Sequence, residues 1–444
     1  MKGDEPLKEC IKKLKNAFLP LLLVSAIAGF FVGVIIFFFR CAGNFVVRLS
    51  HLCYDFAGNG VWQGLLIFAG ITVLCIGARF IMKAAPFSKG GGIPFSVVLS
   101  SVKLKFNWLF TLIATFVSSL ITFFVGVPLG NEGPSVQIGA LTGLGVLKAF
   151  KKENAENAGC IIKSGAGAGF CAATGSVLGG FAFSIEEMHG KIKPMQILSS
   201  FISVISAYCT AAFFCNIFKI DFNLFHKLSL KPLPFKYYFI PIIVGAVCGA
   251  AAILFSKAGI AVRRFIGKAK VPILVQIFLT FSVAFLLAVF FEDAAFSGHD
   301  LIETLFSAEP IWYATLILIA VRAAMLIFSN SQGITGGLFV PLLTLGALLG
   351  AACLAIFNLA GVQVGEYAVY FIITGLAAFI ASANKMPLSV TLFTAEIVCG
   401  FKNILPVLLA VSVSYLIFHL VRQKELTEVI CEELYEKNKS PERN

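Results

Sequence analysis

One carboxylate in this chain, Glu132, follows 26 uncharged residues (106–131) and precedes 15 more (133–147). Within a membrane such a side chain is costly unless it faces water or performs work. Two readings are open at this point. Glu132 is either a carboxylate capping the helix that begins near Pro134, or an ionised group that sits where a permeating anion would sit and swings away when protonated. In the second reading anion occupancy and protonation are linked, because a nearby negative charge favours the neutral carboxyl. A second pair, Glu186 and Glu187, ends an apolar segment. Neighbours on a helix point about 100° apart, so the two have different roles. Glu186 reads as a structural residue satisfying buried polar groups, and the alternative for both is a solvated helix end before His189 and Lys191.

Three Gly/Pro clusters stand at the ends of apolar segments: Gly90-Gly91-Gly92-Ile93-Pro94, Gly130-Asn131-Glu132-Gly133-Pro134 and Gly337-Leu338-Phe339-Val340-Pro341. Each combines glycines that permit an open turn with a proline suited to the first turn of a helix, so each reads as a helix start. A helix start presents N–H groups without intrahelical partners and about half a positive charge. Several converging at membrane depth would hold a partly dehydrated anion.

The elements that must position these residues follow from composition. The 444 residues are 58% hydrophobic and 13% charged, against about a quarter charged in a soluble domain. A soluble globule is excluded, and the remaining solution is an all-α polytopic membrane protein, since lipid admits only helical bundles or closed barrels and the apolar runs are long. The first run extends from Asn16 to Phe39 behind Lys2, Lys8, Lys12, Lys13 and Lys15, which places the N-terminal segment 1–15 in the cytoplasm. Further spans are expected at about 60–78, 106–128, 194–218, 237–256, 271–291, 310–328, 366–384 and 403–420. Between them, 134–148, 160–188 and 339–357 are too short or too Gly-broken for simple spans and read as half-helices. A charged tail, 421–444, is too short for a cytoplasmic regulatory domain.

The chain repeats itself. Pro134, Gly139, Ala140, Leu141 and Gly143 fall on Pro341, Gly346, Ala347, Leu348 and Gly350 at an offset of 207, and Gly165, Ala168, Leu178, Phe183 and Glu186 fall on Gly375, Ala378, Leu388, Phe393 and Glu396 at 210. One transmembrane domain, 16–420, built of two repeats at about 16–218 and 237–420 is the expected organisation, with a site between the halves.

On these motifs the chain resembles the CLC family of chloride channels and chloride/proton exchangers, in its prokaryotic form, from about residue 20 to 435. Gly90 to Pro94 looks like the family's Gly-Ser-Gly-Ile-Pro, Gly130 to Pro134 its Gly-Arg-Glu-Gly-Pro, and Gly337 to Pro341 its Gly-x-Phe-x-Pro. The resemblance implies two inverted halves with broken, re-entrant helices, and a homodimer with one anion path per subunit in a bacterial plasma membrane. It makes Glu132 the gate and, from Phe183-Ser-Ile-Glu-Glu-Met188, Glu187 the internal proton site. The three clusters (Gly90, Gly91, Gly92, Ile93, Pro94; Gly130, Gly133, Pro134; Gly337, Leu338, Phe339, Val340, Pro341) and Thr427, near the place of the family's central tyrosine, become the anion site. There are departures. Gly91 stands where the family commonly has a chloride-coordinating serine, Asn131 replaces an arginine, and Thr174-Gly-Ser-Val-Leu178 replaces an Asn-x-Pro-Leu that the second half keeps at Asn384 to Leu388.

The expected function is transport of chloride or a similar small monovalent anion in exchange for protons. The alternatives are a passive voltage- or pH-gated channel and an exchanger for fluoride or nitrate. An intramembrane enzyme is disfavoured, since no His-Glu-x-x-His, Gly-x-Ser-x-Gly or metal-suited carboxylate cluster is present. A cation carrier would not aim helix starts at its substrate. The 12 cysteines read as small core residues, and neither metal nor cofactor is expected. The basic excess, 35 against 23, reads as membrane topology, and nucleic-acid binding is excluded by its scatter among short loops. Arg79 and Arg322 read as side chains snorkelling to the interface, and His299 as a loop residue.

Overall fold

A computed structural model describes residues 19–152, 157–188, 193–269, 271–307 and 309–439. The lysines of segment 1–15, His189 and Lys191 lie outside them. Among the described residues the chain is built of helices with no strand, as a chain must be whose backbone N–H and C=O groups find no water in hydrocarbon. Ten of these helices are long and apolar enough to cross a membrane.

The first half runs α1 (Leu19–Gly58), α2 (Val61–Ala84), α3 (Ile93–Ser101), α4 (Trp108–Val125), α5 (Glu132–Ala149), α6 (Ala158–Thr174), α7 (Val177–Glu186) and α8 (Pro194–Phe218). The second runs α9 (Phe239–Ala269), α10 (Ile273–Phe290), a short α11 (His299–Leu305), α12 (Trp312–Ser331), α13 (Phe339–Leu359), α14 (Val369–Ala383), α15 (Pro387–Phe393) and α16 (Ile404–Leu420). A final helix, α17 (Leu426–Lys439), follows. The two offsets seen in the sequence superpose α5 on α13, α6 on α14 and α7 on α15.

The same packing serves both halves. Gly29-x-x-x-Gly33 of α1 lies against Ser203 and Ala207 of α8, and Gly245-x-x-x-Gly249 of α9 lies against Ala410 and Ser414 of α16. Small residues four apart let two backbones approach, which is how helices gain contact where lipid offers no hydrophobic contrast. At the centre, α5 meets α6 through Gly139 and Gly165, and α13 meets α14 through Gly346 and Gly375. A Cβ at any of these four would overlap a facing carbonyl. The central helices are accordingly lined by protein: 89% of the apolar window of α13 is buried, against 22% for α2, which faces outward.

Helix α1 runs further than the expected span, 40 residues instead of stopping near 39. At 1.5 Å per residue it is about 60 Å long, and its continuation past Phe39 carries Arg40, Arg48 and His51 to the wall of an aqueous cavity. Helix α8 runs parallel to it. Ser25 Oγ and Ser199 Oγ are 2.8 Å apart near the starts of both, while Phe37 packs on Phe214 and Phe218 toward their ends. On the expectation that the lysine-rich N-terminal segment is cytoplasmic, the side at the starts of α1 and α8 is called the inner face and the opposite side the outer.

The adjacent glutamates part company as helix geometry requires. Glu186 accepts the N–H of Leu388 at 3.0 Å, and the N–H and hydroxyl of Ser389 at 2.7 and 2.6 Å, so it caps the start of α15. Its counterpart Glu396 accepts the Ser176 hydroxyl at 2.6 Å and the N–H groups of Val177 and Leu178 at 3.1 and 2.9 Å, capping the start of α7. Each half thus supplies the carboxylate that satisfies a broken helix of the other. Hydrogen bonds to a charged acceptor are worth about 1.5–3 kcal/mol. Glu396→Ala and Glu186→Ala should each destabilise the protein by roughly this amount, read as a lowered unfolding midpoint in detergent. Unchanged midpoints in both would remove the caps from the account of stability.

Candidate functional site

The three Gly/Pro clusters, separated by up to 250 residues of chain, meet in one place. Gly130 N–H donates to Gly337 O at 2.8 Å and Gly337 N–H returns the bond to Gly130 O at 2.7 Å, an antiparallel bridge across the two halves. Gly90 N–H donates to Gly333 O at 2.9 Å and Gly336 N–H to Gly90 O at 3.3 Å. Gly133 is the point of contact of all three, since a Cβ there would overlap the carbonyl of Gly91 and Cα of Gly337. Gly92, at φ 79°, turns the chain into α3 with its own missing Cβ against Gly133 O.

Helices α3, α5 and α13 start here with N-caps Gly92, Asn131 and Leu338, none of which makes a side-chain cap bond. The contrast with the rest of the fold is instructive. Asn107 caps α4 through Phe110 N–H, Ser176 caps α7 through Gly179 N–H, and the two glutamates described above cap α7 and α15. Other starts, such as those of α2, α8 and α12, also lack a side-chain cap but lie at exposed positions; these three are set apart because their first turns are buried and meet at one junction, where their partial positive charges add. Gly90 to Pro94, Gly130, Gly133 and Pro134, and Gly337 to Pro341 are brought together by this junction. Thr427 belongs to α17, is buried, and lies one turn before Cys431, whose thiol donates to Pro94 O at 3.7 Å. Its position on the face toward α3 follows from the i, i+4 spacing.

Glu132 is the first residue of α5 and 1% exposed. Its carboxylate lies beside the N–H groups of Glu132 itself and of Val340, and Oε2 has no hydrogen-bond partner. The side chain forms the floor of a cavity of about 650 Å³ that opens on the outer side. Glu187 lies at the opposite face. It ends α7, is 1% exposed, and sits seven residues before the start of α8 at the inner side. Glu425, in the turn before α17, is buried beside it, with Lys385 nearby in an ion pair to Glu428 at 2.8 Å. Burial holds the Glu425 carboxyl above the ordinary carboxylate range. Nothing in the charged tail sequence singles out Glu425, because its burial depends on α17 folding back onto α3.

Two basic residues change meaning in three dimensions. Arg322 does not snorkel: it is fully buried, donating from Nη1 to the carbonyls of Asp293 and Ala295 and from Nη2 to Phe296 O at 3.0 Å. It pins the loop between α10 and α11 that forms one wall of the outer cavity. His299 opens α11 and faces the same cavity as Glu132, so it is no bystander in a loop. Arg40, which the sequence shows only as the end of an apolar run, also lines it, donating to Ala172 O and Asp221 O at 3.3 Å. Arg79 is half-buried near the inner end of α2.

Comparisons with known proteins agree with this architecture. Residues 69–419 match the family described as voltage gated chloride channel. Among relatives, the H(+)/Cl(-) exchange transporter ClcA of Citrobacter koseri is 27% identical over 427 residues, covering 93% of this chain and 88% of its own. ClcA of Yersinia pseudotuberculosis serotype IB is 24% identical over 438 residues, covering 96% and 89%. Among solved structures, a slow cyanobacterial Cl-/H+ antiporter superposes with a TM-score of 0.86 at 23% identity, over 94% of this chain and 98% of its own. A CLC-type fluoride/proton antiporter does so at 0.75 and 19%, over 92% and 98%. Two inverted halves, three uncapped helix starts at their junction and a family match over most of the length lead to one conclusion: the chain belongs to the voltage-gated chloride channel family.

Proposed function

We propose that this protein exchanges small monovalent anions, chloride first among them, for protons across the membrane. The observation that supports the reading is the pair of buried carboxylates: Glu132 at the junction of three buried helix starts, and Glu187 at the end of α7 beside Glu425. The substrate pair comes from the relatives named as H(+)/Cl(-) exchange transporters. The anion rests on backbone donors of Gly91 to Ile93 and of Leu338 to Val340, with the buried Thr427 of α17 as the candidate side-chain donor. With Gly91 in place of a serine, backbone geometry carries most of the selectivity.

Glu132 acts as gate because its ionised form competes for the same donors as the anion. Protonation removes the charge that holds it there, the side chain withdraws, and an anion takes its place. Glu187 serves as the inner proton site. A passive channel has no use for a second buried carboxylate at the other face, which favours exchange. On family membership the working unit is taken as a homodimer, each subunit with its own path, and it needs no cofactor.

The test is reconstitution into chloride-loaded liposomes with anion and pH recorded together at saturating anion. Wild-type protein should move protons uphill against an anion gradient, and anion flux should rise as outer pH falls, since acid favours the withdrawn Glu132. Glu132→Gln should conduct anion without proton coupling and without that acid activation. Glu187→Gln should abolish proton movement while its residual anion flux stays acid-sensitive. Wild-type protein that moves anion and no protons would be a channel. A Glu132→Gln variant that still drives protons uphill would defeat the assignment of the gate.

A further inference from the structure

The outer cavity contains an imidazole whose surroundings specify its charge. His299 Nε2–H donates to Leu224 O, and Nδ1 faces Asp300 Oδ1 at 3.3 Å. Both ring nitrogens therefore point at acceptors. A neutral ring carries one N–H, so one nitrogen lone pair would face an oxygen, and only the doubly protonated ring satisfies both. The ring also stacks on Phe225, with centroids 5.0 Å apart and planes 3° from parallel, a face that favours a cation. His226 and His51 in the same cavity differ, each meeting a single carboxylate, Glu303 at 3.0 Å and Glu292 at 2.9 Å.

The position is as specific as the charge. Arg322 and Gly298, at φ 90°, fix the loop that delivers His299, because a Cβ at Gly298 would collide with the Arg322 guanidinium. His299 lines the cavity whose floor is Glu132 and acts on that carboxylate electrostatically. The partner Asp300 side chain is 93% exposed while that of His299 is 32% exposed. Water screens the carboxylate more strongly than the ring, so the pair presents a net positive face to the cavity. The other acidic groups on these walls are Asp221, Glu292, Asp293 and Glu303, and the basic ones are Arg40, Arg48, His51, Lys219, His226 and Arg322.

We propose that His299 is an anion-recruiting residue at the outer mouth, an imidazolium that draws the transported anion toward the site guarded by Glu132. The proposal rests on the transport function above and adds to it a determinant of outer affinity. A fixed charge in a low-dielectric cleft concentrates the oppositely charged substrate. Burial alone would lower the His299 pKa; the bonds to Asp300 and Leu224 O, with Glu303, outweigh it and leave it above the ordinary imidazole value. Recruitment is thus present below that raised value and fades as outer pH rises through it.

The measurement is uptake of radiolabelled chloride by right-side-out vesicles at varied outer chloride and pH. It is made in a Glu132→Gln background so that the gate's own titration is absent. His299→Gln should raise the outer KM about threefold to tenfold with little change in maximal rate, and should flatten the rise of KM at alkaline pH. His299→Lys should restore the low KM and also remove the alkaline rise. Asp300→Asn, at an exposed position, should fold normally and move the alkaline rise to lower pH. An unchanged KM in His299→Gln, a high KM in His299→Lys, or an unmoved alkaline rise in Asp300→Asn would overturn the role of His299. Absence of chloride uptake by the wild-type protein would instead overturn the transport reading itself.

Discussion

The structure depends on one constraint: a helix that starts inside a membrane has N–H groups that must find an acceptor, and no water is there to supply it. Several starts, among them those of α2, α8 and α12, lie at exposed positions without a side-chain cap, and for others the fold has two answers. At α4, α7 and α15 it brings a side-chain oxygen, from Asn107, from Ser176 with Glu396, and from Glu186. At α3, α5 and α13 it brings none, and instead clamps the three starts together through backbone bonds between Gly130 and Gly337 and between Gly90 and Gly333. Glu132, a carboxylate carried by one of the three helices, stands at that junction beside the N–H groups of Glu132 itself and Val340.

From this constraint the two faces acquire different characters. The outer face has a wide cavity whose floor is Glu132 and whose walls mix arginine, lysine and histidine with carboxylates near the water. Toward the inner face Glu187 and Glu425 are buried, and with the half-buried Lys385–Glu428 pair they are gathered where α17 and the α14–α15 turn approach the end of α7. Lys385 holds a positive φ of 51° to make that approach, a conformation that non-glycine residues adopt at some cost. The open mouth thus carries both signs of charge within reach of water, whereas the other face gathers two buried carboxyls.

The sequence analysis reached the helical class, the two halves and the three helix starts, because each leaves a local signature: apolar length, self-similarity at a fixed offset, and Gly/Pro punctuation. It separated Glu186 from Glu187 on helix geometry, on the repeat match of Glu186 to Glu396 and on motif register, and Glu186 does satisfy backbone N–H groups. It went astray where burial comes from distant chain. Arg322 has the local appearance of an interface residue, yet carbonyls of residues 293–296 surround it. His299 has the local appearance of a loop residue, yet the turn at Leu224 supplies its acceptor. Arg40 lies in the continuation of a helix that the apolar run alone ends too early.

Residue identity and spacing by themselves determined that this chain lives in a membrane, that it is doubled, and that a lone carboxylate stands at a helix start deep within it. Those properties are set by transfer free energy and by backbone conformation, which act over a few turns. The tertiary structure decided which helix starts are left uncapped, which carboxylates face an aqueous cavity, and which charges are sealed. Such properties depend on groups that lie tens or hundreds of residues apart, such as Gly133 against Gly91 and Gly337, or Glu396 against Val177. Electrostatic and hydrogen-bonding partners act through distance in space, and only packing of the two halves brings those distances to a few ångströms.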